Sequence, residues 1–267
     1  MALSLMALVV TSSAYAGDAR LKRLDSGVDA GAWEAVGRLD IDGRGFCTGA
    51  LIAPRLVLTA AHCLFDKKTK QRIDHGKVQF LAGWRNGRAG AYRDVRRAVV
   101  HPDYVYDGEV SSERVRNDLA LLELQHPIEN TTIHPFRTAA RPRPGDSVGV
   151  VSYAQNRSEA PSLQELCKVL AQQEGVLVTT CTVDFGSSGA PIFTFANGEA
   201  QIVSVVSAKA EVEGENVSLG TSLGAPLAIL QAELVAGKGV YQEPGPAAKR
   251  IVVGQGIRRT GAKFVKP

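Results

Sequence analysis

CTGALIAPRLVLTAAHC, residues 47–63, holds two short apolar runs around a Pro-Arg corner and ends in a histidine beside a cysteine. The runs at 50–52 and 56–59 are too short for helices and read as strands joined by a turn. Similar β-rich runs recur at 78–82, 95–100, 119–124, 148–152, 176–180, 191–195 and 202–207, punctuated by Gly, Pro, Asn and Asp. Strands at this spacing predict a sandwich or barrel. Residues 134–146, HPFRTAARPRPGD, carry prolines at 135, 142 and 144 and no apolar alternation, so they read as a linker between two β units of similar size. One helix is expected over 226–236, with Leu227, Leu230 and Leu234 on one face and Gly237 as its stop.

A chain of 267 residues is long enough to bury one large β domain or two small ones, and 45% hydrophobic content is ordinary for a globular protein. The net charge of +4 resides in the tail: from Lys238 onward the chain carries +6, which leaves −2 for everything before it. The body is therefore not basic, and no nucleic-acid partner is expected. Residues 1–16, MALSLMALVVTSSAYA, join a short apolar run to a small-x-small site at Ala14-Tyr15-Ala16, although no Lys or Arg precedes the run. This is the pattern of an export signal, too short to span a bilayer, and it predicts a mature start near Gly17 in the periplasm or outside the cell.

Four cysteines, Cys47, Cys63, Cys167 and Cys181, suit that compartment as two disulfides. Three connectivities are open, of which local pairing, 47 with 63 and 167 with 181, is the simplest. The sequence holds no metal-ligand cluster, phosphate loop or cofactor fingerprint, so neither metal nor cofactor is expected. His75, His101, His126 and His134 are scattered and read as surface or structural.

Three segments carry chemistry. In Leu58-Thr59-Ala60-Ala61-His62-Cys63, small neighbours leave the imidazole room, and a half-cystine would fix its backbone, as a general base requires. In Asn117-Asp118-Leu119-Ala120-Leu121-Leu122, an acid stands at the mouth of a nearly continuous apolar strand. A carboxylate about to be buried there needs a partner, and a histidine N–H is a suitable one. In Asp184-Phe185-Gly186-Ser187-Ser188-Gly189-Ala190-Pro191, glycines on both sides of the serines permit a tight turn. Such a turn exposes a hydroxyl and aims backbone N–H groups at a developing oxyanion.

Together these segments resemble the chymotrypsin/trypsin family of serine peptidases over roughly residues 33–235. CTGALIAPRLVLTAAHC matches the family's histidine segment nearly throughout, NDLALLEL its aspartate segment, HPDY (residues 101–104) its approach loop and GSSGAP its nucleophile turn. The order His, Asp, Ser is the family's and differs from that of subtilisins and α/β-hydrolases. The Cys167, Cys181, Ser188 spacing looks more like the bacterial, glutamyl-endopeptidase-like branch. The resemblance implies an all-β, chymotrypsin-like fold of two antiparallel six-stranded Greek-key barrels, near 30–130 and 145–236, with a C-terminal helix. A peptidase domain would occupy 17–236, and a basic, flexible tail 237–267. By the same resemblance His62, Asp118 and Ser188 are catalytic, with Ser188 the nucleophile, His62 the base and Asp118 its orienter. The N–H groups of Gly186 and Ser188 would form the oxyanion hole, and the chain would be a secreted, monomeric endopeptidase acting on protein or peptide substrates.

The sequence departs from that family in two places. Ser187 stands where animal relatives carry an aspartate that pairs with a newly freed N-terminal amine, so activation by that route is not expected. The pocket, counted without gaps, falls on Thr182, Ser207, Ala208 and Lys209, a set with no acid to select basic side chains. Val206 stands where glutamyl endopeptidases use a histidine, so specificity stays open. The alternatives are a catalytically silent relative that binds proteins through the same cleft, and a polyanion-binding module working through the tail.

Overall fold

The computed structural model describes residues 21–106, 111–195, 198–212 and 214–242. The signal segment, Gly17 and the tail beyond residue 242 lie outside them. The described chain opens with a short strand, β1 (Lys22–Arg23), and a single helical turn, α1 (Gly27–Ala30), capped where the Ser26 hydroxyl accepts from the Asp29 amide. Six antiparallel strands then close a barrel: β2 (Val36–Ile41), β3 (Gly45–Ala53), β4 (Leu56–Thr59), β5 (Val78–Ala82), β6 (Ala91–Val100) and β7 (Ala120–Leu124). Their order around the barrel is β2-β3-β4-β7-β6-β5, and pairing of β2 with β5 shuts it. A short helix, α2 (Ser112–Asn117), stands before β7.

The second barrel comprises β8 (Ser147–Ala154), β9 (Arg157–Gln173), β10 (Val176–Thr179), β11 (Pro191–Thr194), β12 (Gln201–Val212) and β13 (Glu215–Ser222). The ring β9-β10-β13-β12-β11-β8 closes through β8 and β9, and β1 adds to β9 as a seventh strand with Lys22 opposite Leu163. Helix α3 (Gly224–Val235) follows and buries Leu227, Leu230 and Leu234, the expected face. The architecture is the one expected: two closed six-stranded antiparallel barrels with a C-terminal helix.

Strands β2, β9 and β13 lie where no apolar run had marked a strand. β9 shows why: Glu159, Glu165, Lys168 and Gln172 give it little alternation, and pairing with both β8 and β10 decides its conformation. Leu39, Leu51, Leu58, Phe80 and Leu121 are fully buried in the first barrel, and Val148, Val150, Leu177 and Ile192 in the second. The linker is fastened to both halves. Phe136 donates its amide to the Leu51 carbonyl, and its ring stands 4.8 Å from that of Phe193, which in turn lies edge-on to Trp33 at 5.1 Å.

Residues 237–242, expected to be the start of a loose tail, run back over the first barrel. Ala98 donates to the Gly239 carbonyl, the Tyr241 amide donates to Nδ1 of His75, and Arg97 reaches the carbonyls of Leu234 and Lys238. Gly239 adopts φ +95 there, and a Cβ on it would meet Ala98 at 3.0 Å. No helix among the described residues is long and apolar enough to cross a membrane.

Candidate active site

His62 sits in a short 3₁₀ turn just after β4, between buried Ala61 and Cys63. The disulfide Cys47–Cys63 ties that turn to β3, and both sulfurs lie within 4.8 Å of one imidazole nitrogen. The second disulfide is Cys167–Cys181, so both pairings are local.

Asp118 caps the C-terminus of α2 and is buried. An isolated carboxylate is too costly at such a site, and the structure surrounds it with donors. Oδ1 accepts from the His62 backbone amide at 2.8 Å, while Oδ2 lies 2.7 Å from His62 Nδ1 and 2.5 Å from the Ser207 hydroxyl. A carboxylate at Nδ1 places the ring proton there and leaves Nε2 as a free lone pair.

Ser188 lies on the turn between β10 and β11, and the Thr48 amide on β3 donates to its carbonyl at 2.9 Å. Thr48 also donates its hydroxyl to the Gly186 carbonyl at 2.8 Å, and Thr59 in turn donates to the Thr48 carbonyl. A strand of the first barrel thus supports the serine turn of the second. Two glycines make the turn sterically feasible. Gly186 has φ +96, and a Cβ there would lie 2.3 Å from the Phe46 ring; Gly189 has φ +79, and a Cβ would lie 2.1 Å from Thr59 Oγ1. The Ser188 hydroxyl makes no hydrogen bond to the His62 ring, a separation common before substrate binds.

The orientation of the turn's peptides follows from their carbonyls. The Phe185 carbonyl accepts from the Gln155 amide at 2.8 Å, and the Ser187 carbonyl from the Ala190 amide at 2.9 Å. In a trans peptide the N–H points opposite to the C=O, so the amides of Gly186 and Ser188 are turned away from these partners. Neither donates to a backbone carbonyl among the described residues.

His62, Asp118, Gly186, Ser188, Ser207, Ala208 and Lys209 all line one cleft of about 970 Å³ between the barrels. Lys209 is tethered at its rim, 3.6 Å from Asp184 and 5.8 Å from the Phe185 ring. Thr182 does not join them. It is exposed, and it exchanges hydrogen bonds with Gln164 on β9, its amide donating to Oε1 at 2.6 Å. Gapless counting along the chain misplaces it because a side chain's direction depends on the strand and turn that carry it. Sequence reasoning also missed Thr48, whose role depends on a contact 138 residues away.

Around the site, burial raises the pKa of Tyr104 well above the usual tyrosine range, and the Asp118 charge adds to the rise. Burial lowers Arg157, with the Asp184 charge opposing the fall.

The Trypsin family model matches residues 26–221. The chain is 28% identical over 164 residues to serine protease 23 of Mus musculus, covering 55% of this chain and 42% of that protein. It is 34% identical over 94 residues to a trypsin of Phaedon cochleariae, covering 34% of this chain and 33% of that one. The chain thus spans less than half the length of these curated relatives. Among solved structures, a Glu endopeptidase in complex with MPD shares the fold with TM-score 0.66 at 18% identity, over 82% of this chain and 98% of that one. With three quarters of its length matched by the family model and the two-barrel fold in place, the chain belongs to the trypsin family of serine peptidases.

Proposed function

We propose that this chain is an exported serine endopeptidase, and that residues 1–16 direct its export and are removed near Gly17. The observation that carries the reading is the pairing of buried Asp118 with His62 Nδ1, which leaves Nε2 bare in the cleft that Ser188 also lines. His62 takes the Ser188 proton as the hydroxyl attacks a peptide carbonyl, and the amides of Gly186 and Ser188 receive the oxyanion. His62 then returns the proton to the leaving amine, and water hydrolyses the acyl-enzyme by the reverse sequence. Asp118 holds the tautomer and stabilises the imidazolium. Polypeptide lies in the cleft against the wall of Ser207, Ala208 and Lys209.

The test is a peptide-library digest with wild type and Ser188→Ala, alongside a fluorophosphonate probe. Wild type cleaves and is labelled at Ser188, whereas the variant is unlabelled and loses about 10⁶ in kcat. A wild-type protein that binds peptides in the cleft yet is neither labelled nor active is instead a silent binding module.

A further inference from the structure

Ser187 lacks the carboxylate to which a freed N-terminus would pair, yet its side chain is fully buried. The charged side chain that reaches it is Arg157, the first residue of β9, just past the two-residue bend that joins β8 to β9. One guanidinium nitrogen donates to the Ser152 carbonyl. The other lies 3.0 Å from the Ser152 hydroxyl and 3.3 Å from the Ser187 hydroxyl. Ser187 Oγ is also within 3.2 Å of the Tyr153 carbonyl and of Ser152 Oγ, and it accepts from the Asp184 amide at 3.3 Å. The Ser187 amide donates back to the Asp184 carbonyl at 2.8 Å. The same hairpin holds the turn a second time, through the Gln155 amide on the Phe185 carbonyl. A side chain and a backbone amide from one hairpin therefore fix both ends of the segment that carries the Gly186 amide.

We propose that Arg157 is the positioning cation of the oxyanion turn, so that folding of the second barrel sets the Gly186 and Ser188 amides. This rests on the endopeptidase reading for its effect on rate, but not for its effect on the turn. A serine suits this arrangement better than an aspartate would. A hydroxyl gives its one proton to a backbone carbonyl and still accepts from Arg157 and the Asp184 amide. One guanidinium nitrogen reaches both the Ser152 and Ser187 hydroxyls while the other holds the Ser152 carbonyl, a planar two-nitrogen arrangement that an ammonium matches only in part.

The experiment uses the full chain as wild type, Arg157→Ala and Arg157→Lys, with three readouts: thermal midpoint, kcat and KM on one peptide, and amide hydrogen exchange of the 183–190 segment. Loss of an oriented oxyanion donor costs about 10²–10³ in kcat. Arg157→Ala is therefore expected to lower kcat at least 30-fold with KM changed less than threefold, and to speed exchange across 183–190 but not across 56–63. Arg157→Lys recovers part of kcat, and it serves as the folded variant if the alanine protein does not fold. A folded variant with unchanged kcat and exchange overturns the proposal. So does a uniform rise in exchange across both segments, which marks a merely structural arginine. If wild type itself neither cleaves nor takes the probe, the endopeptidase reading fails, and the exchange comparison alone decides the role of Arg157.

Discussion

Ser207, on β12 of the second barrel, donates its hydroxyl proton to the same Asp118 oxygen that His62 engages, at 2.5 Å against 2.7 Å. The buried carboxylate is thus oriented from both barrels at once. A hydrogen bond to a charged group contributes about 1.5–3 kcal/mol. Ser207→Ala is therefore expected to lower kcat by one to two powers of ten, well short of the roughly 10⁴ expected for Asp118→Asn. Steady-state kinetics on one substrate checks the ranking. A Ser207→Ala protein with wild-type kcat would show that Asp118 needs no third donor.

The two disulfides close loops of 16 and 14 residues in sequence separation. Each contributes about 3 kcal/mol in the chain-entropy view. Cys47→Ala with Cys63→Ala should cost activity beyond its effect on stability, because that bridge braces the His62 turn. The Cys167/Cys181 pair should act mainly through stability. Thermal melts and kinetics on the two double variants separate these outcomes, and peptide mapping without reductant should recover Cys47 with Cys63 and Cys167 with Cys181.

Gly189→Ala should unfold or cripple the protein, since a Cβ would lie 2.1 Å from Thr59 Oγ1 and 2.3 Å from the Thr48 carbonyl at φ +79. Strain and overpacking together cost about 3 kcal/mol or more. Gly31→Ala is the control: its added carbon meets nothing within 4 Å. That variant should melt at or slightly above wild type in a calorimetric scan.

Acid should destabilise the fold through two histidines. Burial lowers the pKa of both His75 and His101, against raising charges on Asp74 and Asp103, and Arg72 adds to the lowering at His75. Each uses Nδ1 to accept a backbone amide, from Tyr241 and Asp103 respectively. A depressed folded pKa means that the unfolded chain binds the proton first. Their contribution is thus present above about pH 6.5 and is lost as pH falls through the lowered folded values. Melting midpoints between pH 8 and pH 4 should drop, and His75→Gln with His101→Gln should flatten that slope. An unchanged slope would remove these two residues from the acid response.

Much of the fold is legible in the sequence where local pattern and tertiary demand agree. Leu56–Thr59 and Val78–Ala82 are strands at the boundaries their apolar runs mark. β9 is not legible, because its charged and helix-forming residues become a strand only through neighbours on both edges. The same divide runs through the site. His62, Asp118 and Ser188 each sit in a segment whose small, apolar or glycine neighbours announce the local geometry. Thr48, Arg157 and the bond from Ser207 to Asp118 have no such announcement. Their contacts with Gly186, Ser187 and Asp118 span 30 to 138 residues, and common residue types at ordinary strand positions carry no mark of the pairing.

The described chain starts on one barrel and finishes on the other: Lys22–Arg23 extends the second, and residues 237–242 run over the first. Each half is therefore belted by the far end of the other. A single nick in the 134–146 connection would leave two fragments still laced together by these crossed ends. Pulling on either terminus would load the barrel at the opposite end of the sequence. Resistance to force or to proteolysis is thus expected to be shared between two units that their sequence presents as separate.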